Sequence, residues 1–116
     1  MAVFGHMIKN SKKENLRQKY SHVLVTSASK KVPLVRAVQD AARKLHSNIQ
    51  VIAGDLNENA LTRYIADGFW KMPRSIDTEI DAIIVGCKER DIRTIIPTRD
   101  GELLFWAQFQ TCFAEQ

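Results

Sequence analysis

His22-Val23-Leu24-Val25-Thr26, then Ser27-Ala28-Ser29-Lys30-Lys31-Val32, then Pro33-Leu34-Val35-Arg36-Ala37, is the stretch on which the fold turns. The first five residues are a short β-branched run and predict a buried strand, and the serines that follow predict a loop. Pro33 suits a first helical turn. Leu34, Val35, Val38, Ala41, Ala42 and Leu45 recur at helical spacing opposite Arg36, Asp40, Arg43 and Lys44, which predicts an amphipathic helix over residues 33–46.

The same strand–helix unit recurs outward from there. Ile49 to Ala53 predicts a second strand stopped by Gly54 and Asp55, with a brief helical stretch from Ala60 to Asp67. Gly68 to Met72 predicts a third strand closed by Pro73. Asp77 or Thr78 can cap a helix that carries Ile80, Ile83, Ile84 and Cys87 on one face and runs to Asp91. Arg93 to Thr98 predicts the fourth strand, and Asp100 is placed to cap a last helix through Leu103, Leu104, Phe105, Trp106, Phe109, Cys112 and Phe113. Four such units with right-handed crossovers imply an α/β, Rossmann-like open parallel sheet of four strands in the order 3-2-1-4, flanked by helices.

A length of 116 residues fits one domain. The formal charge of +4 suggests nucleic acid until it is located: Lys9, Lys12, Lys13, Arg17 and Lys19 against Glu14 account for all of it, and residues 22–116 balance. The expected organisation is therefore a basic, flexible leader over residues 1–21 and a domain over 22–116, with no nucleic-acid partner. Deleting the leader is expected to leave the melting temperature nearly unchanged. The apolar stretches are too short to span a bilayer, and the leader's order, apolar then basic, reverses that of a secretory signal. Cys87 and Cys112 form no CxxC pattern, so neither zinc nor a disulfide framework is signalled and a cytoplasmic setting is expected.

Ligands of such sheets bind beyond the carboxyl ends of the strands where the strand order reverses, here between the first and fourth strands. Two loops meet there. Thr26 to Lys31 offers hydroxyls at Ser27 and Ser29, the backbone at Ala28, and the ammoniums of Lys30 and Lys31, which suit a carboxylate or phosphate. Pro97 to Glu102 offers Thr98, Asp100 and Glu102, and the two acids favour a cation or amino group. The competing structural reading makes Ser27 or Ser29 and Asp100 helix caps and leaves Lys30 and Lys31 solvated. Asp55 ends the second strand, where a Rossmann enzyme keeps its ribose-binding acid, but turn or cap duty is the commoner role. The first loop holds no glycine and no Walker pattern occurs, which argues against tight NAD or ATP binding. His6, His22 and His46 read as surface residues, the cysteines as core filler, and Trp70 and Trp106 as packing more than stacking.

These loops also carry a resemblance. Val23 to Ala37 resembles the opening ILVTSAGRRV.LVRAF of the ATP-grasp ligases related to the carbamoyl phosphate synthase large chain. Val51 to Asp55 resembles VIAAD, Ala66 to Phe69 resembles ADKFY, and Ile95 to Leu103 resembles LIPT.D.EL. The resemblance implies the pre-ATP-grasp domain, the first of three, which closes one side of the acceptor-substrate pocket. It implies no cofactor on this chain, with ATP and magnesium held by the two absent domains. The family reaction activates a carboxylate as an acyl phosphate that an amine then attacks.

Ser29 stands where that family has glycine, and Lys30-Lys31 replaces an arginine pair, which loses bidentate anion recognition. Asp100 and Glu102 match the family pattern and would face a substrate amino group. The reading that follows is a substrate-positioning and docking domain, not catalytic by itself, whose partners are ATP-grasp domains and a small carboxylate or amino acid. Alternatives are a stand-alone module for a small anionic metabolite and a structural interaction domain. Because the chain stops within a very apolar helix, a truncated or partnered domain is expected. Leu104 and Trp106 are expected to point away from the buried stripe and to drive pairing with a second copy.

Overall fold

A computed structural model describes Ala2, Val3 and residues 21–114, with side chains over residues 21–111. One sheet contains β1 (Ala2–Val3), β2 (His22–Val25), β3 (Val51–Asp55), β4 (Gly68–Lys71) and β5 (Ile92–Ile96), in the order β1-β5-β2-β3-β4. The helices are α1 (Val32–Leu45), α2 (Ile80–Glu89) and α3 (Leu103–Ala114). β2 to β5 are mutually parallel and stand in the expected 3-2-1-4 order. The sheet also gains a fifth strand: Ala2 pairs with Ile95 and Val3 with Thr94, antiparallel, inside the segment read as a leader. Its basic residues lie outside the described residues.

Alternation along the strands builds two cores. Leu24, Ile52, Trp70 and Ile95 face α2 and α3, where they pack with Ile83, Cys87, Trp106 and Phe109. Val25, Val51, Ala53 and the half-buried Phe69 and Ile96 face the opposite way, where Val35 and Ala42 of α1 cover them. Thus α1 lies on one side of the sheet and the other two helices on the other, as a doubly wound sheet requires. The stripe of α1 is narrower than its sequence implies: Val35, Val38 and Ala42 meet the sheet, while Leu34, Ala41 and Leu45 are exposed. Arg43 ties the helix down through Asp67, whose carboxylate also accepts Val51 N–H at 2.8 Å.

Several boundaries move for local reasons. Gly54 and Asp55, read as terminators, belong to β3, because a side chain at Gly54 would fall on Met72 Sδ and crowd Leu24. Glycine lets the strand run on past that crowding. The stretch after Ala60 is one 3₁₀ turn, Leu61–Tyr64, and Asp77–Glu79 forms a 3₁₀ turn leading into α2 without a side-chain cap. In α2, a Cβ at Gly86 would overlap the Trp70 ring, so this glycine sets how closely the helix lies on β4. Arg90 stacks over the Trp70 ring, 4.3 Å from its centroid. Among the described residues no helix is long and apolar enough to cross a membrane.

The last helix corrects its sequence reading. Trp106 is 1% exposed, whereas Leu103 and Leu104 are exposed. At 100° per residue, Phe105, Phe109 and Trp106 fall within one stripe about 100° wide, and Leu104 falls outside it. Cys112 and Phe113 have side chains outside the described residues.

Candidate functional site

The loop after β2 must carry the chain from the middle of the sheet onto the α1 face. It does so through two left-handed residues, Ser27 with φ 49° and Ser29 with φ 32°. That conformation costs a non-glycine residue about 1–2 kcal/mol, so the surroundings must hold it. Thr98 Oγ1 donates to the carbonyls of Thr26 and Ser27 at 2.7 and 3.0 Å. Asp55 accepts Ser29 N–H at 2.9 Å, and the buried Thr62 donates its N–H and hydroxyl to Ser29 O. Ala28 N–H reaches Gly54 O, and its side chain is fully buried in the α1 core.

Glu102 is the centre of the second loop. It is 2% exposed and accepts from Thr26 Oγ1 at 3.0 Å, Trp106 Nε1 at 2.8 Å, Arg99 Nε at 3.1 Å, and Ser27 Oγ. Burial pushes its carboxyl up, but the hydrogen bonds from Ser27, Trp106 and Thr26 and the Arg99 charge outweigh that and hold it below its ordinary value. One side chain thus joins the β2 loop, the β5 loop and α3. Among the described residues no buried side-chain polar atom lacks a partner.

Neither of the expected capping roles occurs. Lys31 is the N-cap of α1 and makes no side-chain cap bond, while the Ser27 hydroxyl is spent on Glu102. Asp100 begins a 3₁₀ turn, Asp100–Glu102, is exposed, and caps nothing. Lys31 Nζ donates to Thr98 O at 2.7 Å, closing loop on loop, and Lys30 is exposed. Asp55 serves as a turn residue: besides Ser29 it accepts Asn57 N–H at 2.9 Å.

Together these loops border a crevice of about 620 Å³ along the carboxyl ends of the strands. Of the residues singled out from sequence, Thr26, Ser27, Ser29, Lys31, Asp55 and Glu102 line it, whereas Ala28, Lys30, Thr98 and Asp100 do not. The crevice also extends past the switch point to the loops after β3 and β4. There it takes in Leu56, Met72, Pro73, Arg74 and Ile76, with Arg99 from the β5 side. Applying the carboxyl-end rule to all four parallel strands, and not to the central pair alone, would have found the Pro73–Ile76 loop.

Other chemistry-bearing residues stand elsewhere. Cys87 is buried, and burial pushes its thiol up to about 12 against the opposing pull of Arg90, so it is not a nucleophile. His22 Nδ1 accepts Gln50 N–H and His46 Nδ1 accepts Asn48 N–H. Trp70 and Trp106 pack in the core, away from the crevice. Among the described residues no three His, Cys, Asp or Glu side chains converge as metal ligands would. In the crevice, Asp55 and Glu102 are both engaged by the chain's own donors.

Comparison with known proteins adds one match. The model of the family described as "PylC-like, N-terminal domain" fits residues 23–116. No curated protein matches the chain.

Proposed function

The chain belongs to the PylC-like N-terminal domain family, the pre-ATP-grasp type of domain that ATP-grasp ligases carry, and from this premise we propose that it positions the acceptor substrate of a carboxylate–amine ligase and docks against the ATP-grasp domains. The observation that carries this reading is the crevice at the carboxyl ends of the parallel strands, bordered by a left-handed loop that Glu102, Thr98 and Asp55 hold in advance of any ligand. Such a wall orients a substrate at little entropic cost on binding. In this reading ATP and magnesium belong to domains outside residues 22–116, the ligase is related to the carbamoyl phosphate synthase large chain, and the setting is cytoplasmic.

The test is to follow the source reading frame past Gln116 and assay the product with its ATP-grasp region. The expected result is ATP-dependent amide formation that disappears when residues 22–116 are removed and returns when they are supplied in trans. Amide formation indifferent to that deletion, or a chain that engages no ATP-grasp domain, overturns it. A second reading rests on the exposed Leu103 and Leu104 of α3: a docking face for those domains or for a second copy. Sedimentation of the chain with and without Leu104→Glu tests it, since only an interface residue would change the mass distribution.

A further inference from the structure

The crevice is uneven in what it offers a ligand. Lys31, Arg74 and Arg99 bring three positive charges to its lining, and Asp55 and Glu102 bring two negative ones. The acids are engaged: Glu102 is 2% exposed with four donors on its two oxygens, and each Asp55 oxygen accepts a backbone N–H. An ammonium group entering the crevice therefore cannot reach Glu102. Lys31 is spent on Thr98 O, and the two arginines are the open cations. Arg99 spends only Nε on Glu102 and its side chain is 64% exposed, which leaves the terminal nitrogens for a ligand. Arg74 is exposed and forms no ion pair among the described residues.

Beside these cations stands an apolar wall. Leu56 and Ile76 are 52% and 46% exposed, and Met72 and Pro73 continue the wall inward. Arg74 and Ile76 share one tight turn, closed by Ile76 N–H on Arg74 O at 2.9 Å, so a cation and an apolar contact come from a single rigid element. We propose that the crevice takes a carboxylate bearing an aliphatic body, with the anion at Arg74 and Arg99 and the body against Leu56 and Ile76. Guanidinium groups receive either a carboxylate or a phosphate. The net surplus of one positive charge in the lining matches a monoanion better than a phosphate dianion. This deepens the reading above and rests on it only for the place where substrate lies.

The test uses the 116-residue chain alone, with 4-methylpentanoate, acetate, 4-methylpentylamine and 3-methylbutyl phosphate titrated at low salt and followed by amide NMR shifts. 4-Methylpentanoate is expected to saturate in the millimolar range, about tenfold tighter than acetate or the amine and no weaker than the phosphate, with shifts at Leu56, Arg74 to Ile76 and Arg99. Arg74→Gln, at a side chain with no partner among the described residues, is expected to weaken it several-fold while leaving the unfolding midpoint in place. Ile76→Ser should weaken 4-methylpentanoate but not acetate. The proposal is overturned if nothing saturates, if the amine or the phosphate binds more tightly, or if neither variant changes the affinity. Because no ATP-grasp domain is present, such a failure leaves the amide-formation assay free to succeed, and the reverse also holds.

Discussion

Glu102 shows how a carboxylate is kept charged out of water: four donors from three segments replace its hydration. Since its pKa is lowered in the folded chain, its stabilisation is present above the ordinary value of 4.5 and is lost as pH falls through the lower, folded value. Asp67 acts in the same direction: burial raises its pKa, but the hydrogen bonds from Arg43, Val51 and Gln39 and the Arg43 charge lower it further. Urea midpoints measured across the acid range should therefore fall below pH 4.5, and Glu102→Gln should flatten part of that slope. Glu102→Ala, which orphans four donors, is expected to cost about 3 kcal/mol or more at neutral pH. The two left-handed serines should respond oppositely to glycine. Ser29→Gly removes strain and no side-chain bond, so denaturation should show a gain of about 0.5–1 kcal/mol. Ser27→Gly also deletes a donor to Glu102 and should show no gain or a loss. At this scale the sequence named Glu102 but not its duty. Asp100 and Glu102 look alike as loop acids two positions apart, and only the 3₁₀ turn between them sends one into the core and leaves the other in solvent.

The alternation of strand and helix was legible because each strand is a short apolar run bounded by loop residues and each long helix carries an apolar stripe, signals that depend on local sequence alone. Widths and ends were not. Whether Leu45 joins the buried face depends on how far the sheet reaches beneath α1, and whether Gly54 stops a strand depends on Met72 arriving from β4. The last helix gives the sharpest contrast. Trp106→Glu places a second carboxylate beside Glu102 in a closed core and removes an indole packed edge-on against Phe105 and Phe109, 5.0 and 4.9 Å between centroids. A loss of about 3–5 kcal/mol is expected, enough to abolish the cooperative thermal transition of a domain this small. Leu104→Glu, at 72% exposure, should keep that transition within a few degrees of the parent. A large drop for Leu104→Glu would show that this residue packs internally after all.

For the whole molecule, β1 covers an edge of β5 that would otherwise present unpaired backbone groups. Two residues within a basic segment carry no readable pattern, so this strand was not legible, and its pairing changes what is expected when residues 1–21 are removed. Their deletion should lower the melting midpoint by about 5 °C, on the scale of one or two lost backbone hydrogen bonds, and promote aggregation detectable by light scattering. The site was legible in its location and only partly in its membership, because the carboxyl-end rule fixes a rim and not which loops rise above it. The sheet order also imposes a timetable. β2 has its first partner, β3, soon after it in the chain, but its other neighbour is β5, made only after β3, β4 and α2, and β1 can pair only once β5 is in place. During synthesis the middle of the sheet therefore stays open on one side until Ile92–Ile96 leaves the ribosome, and Ala2–Val3, made well before β5, is among the last to find its place.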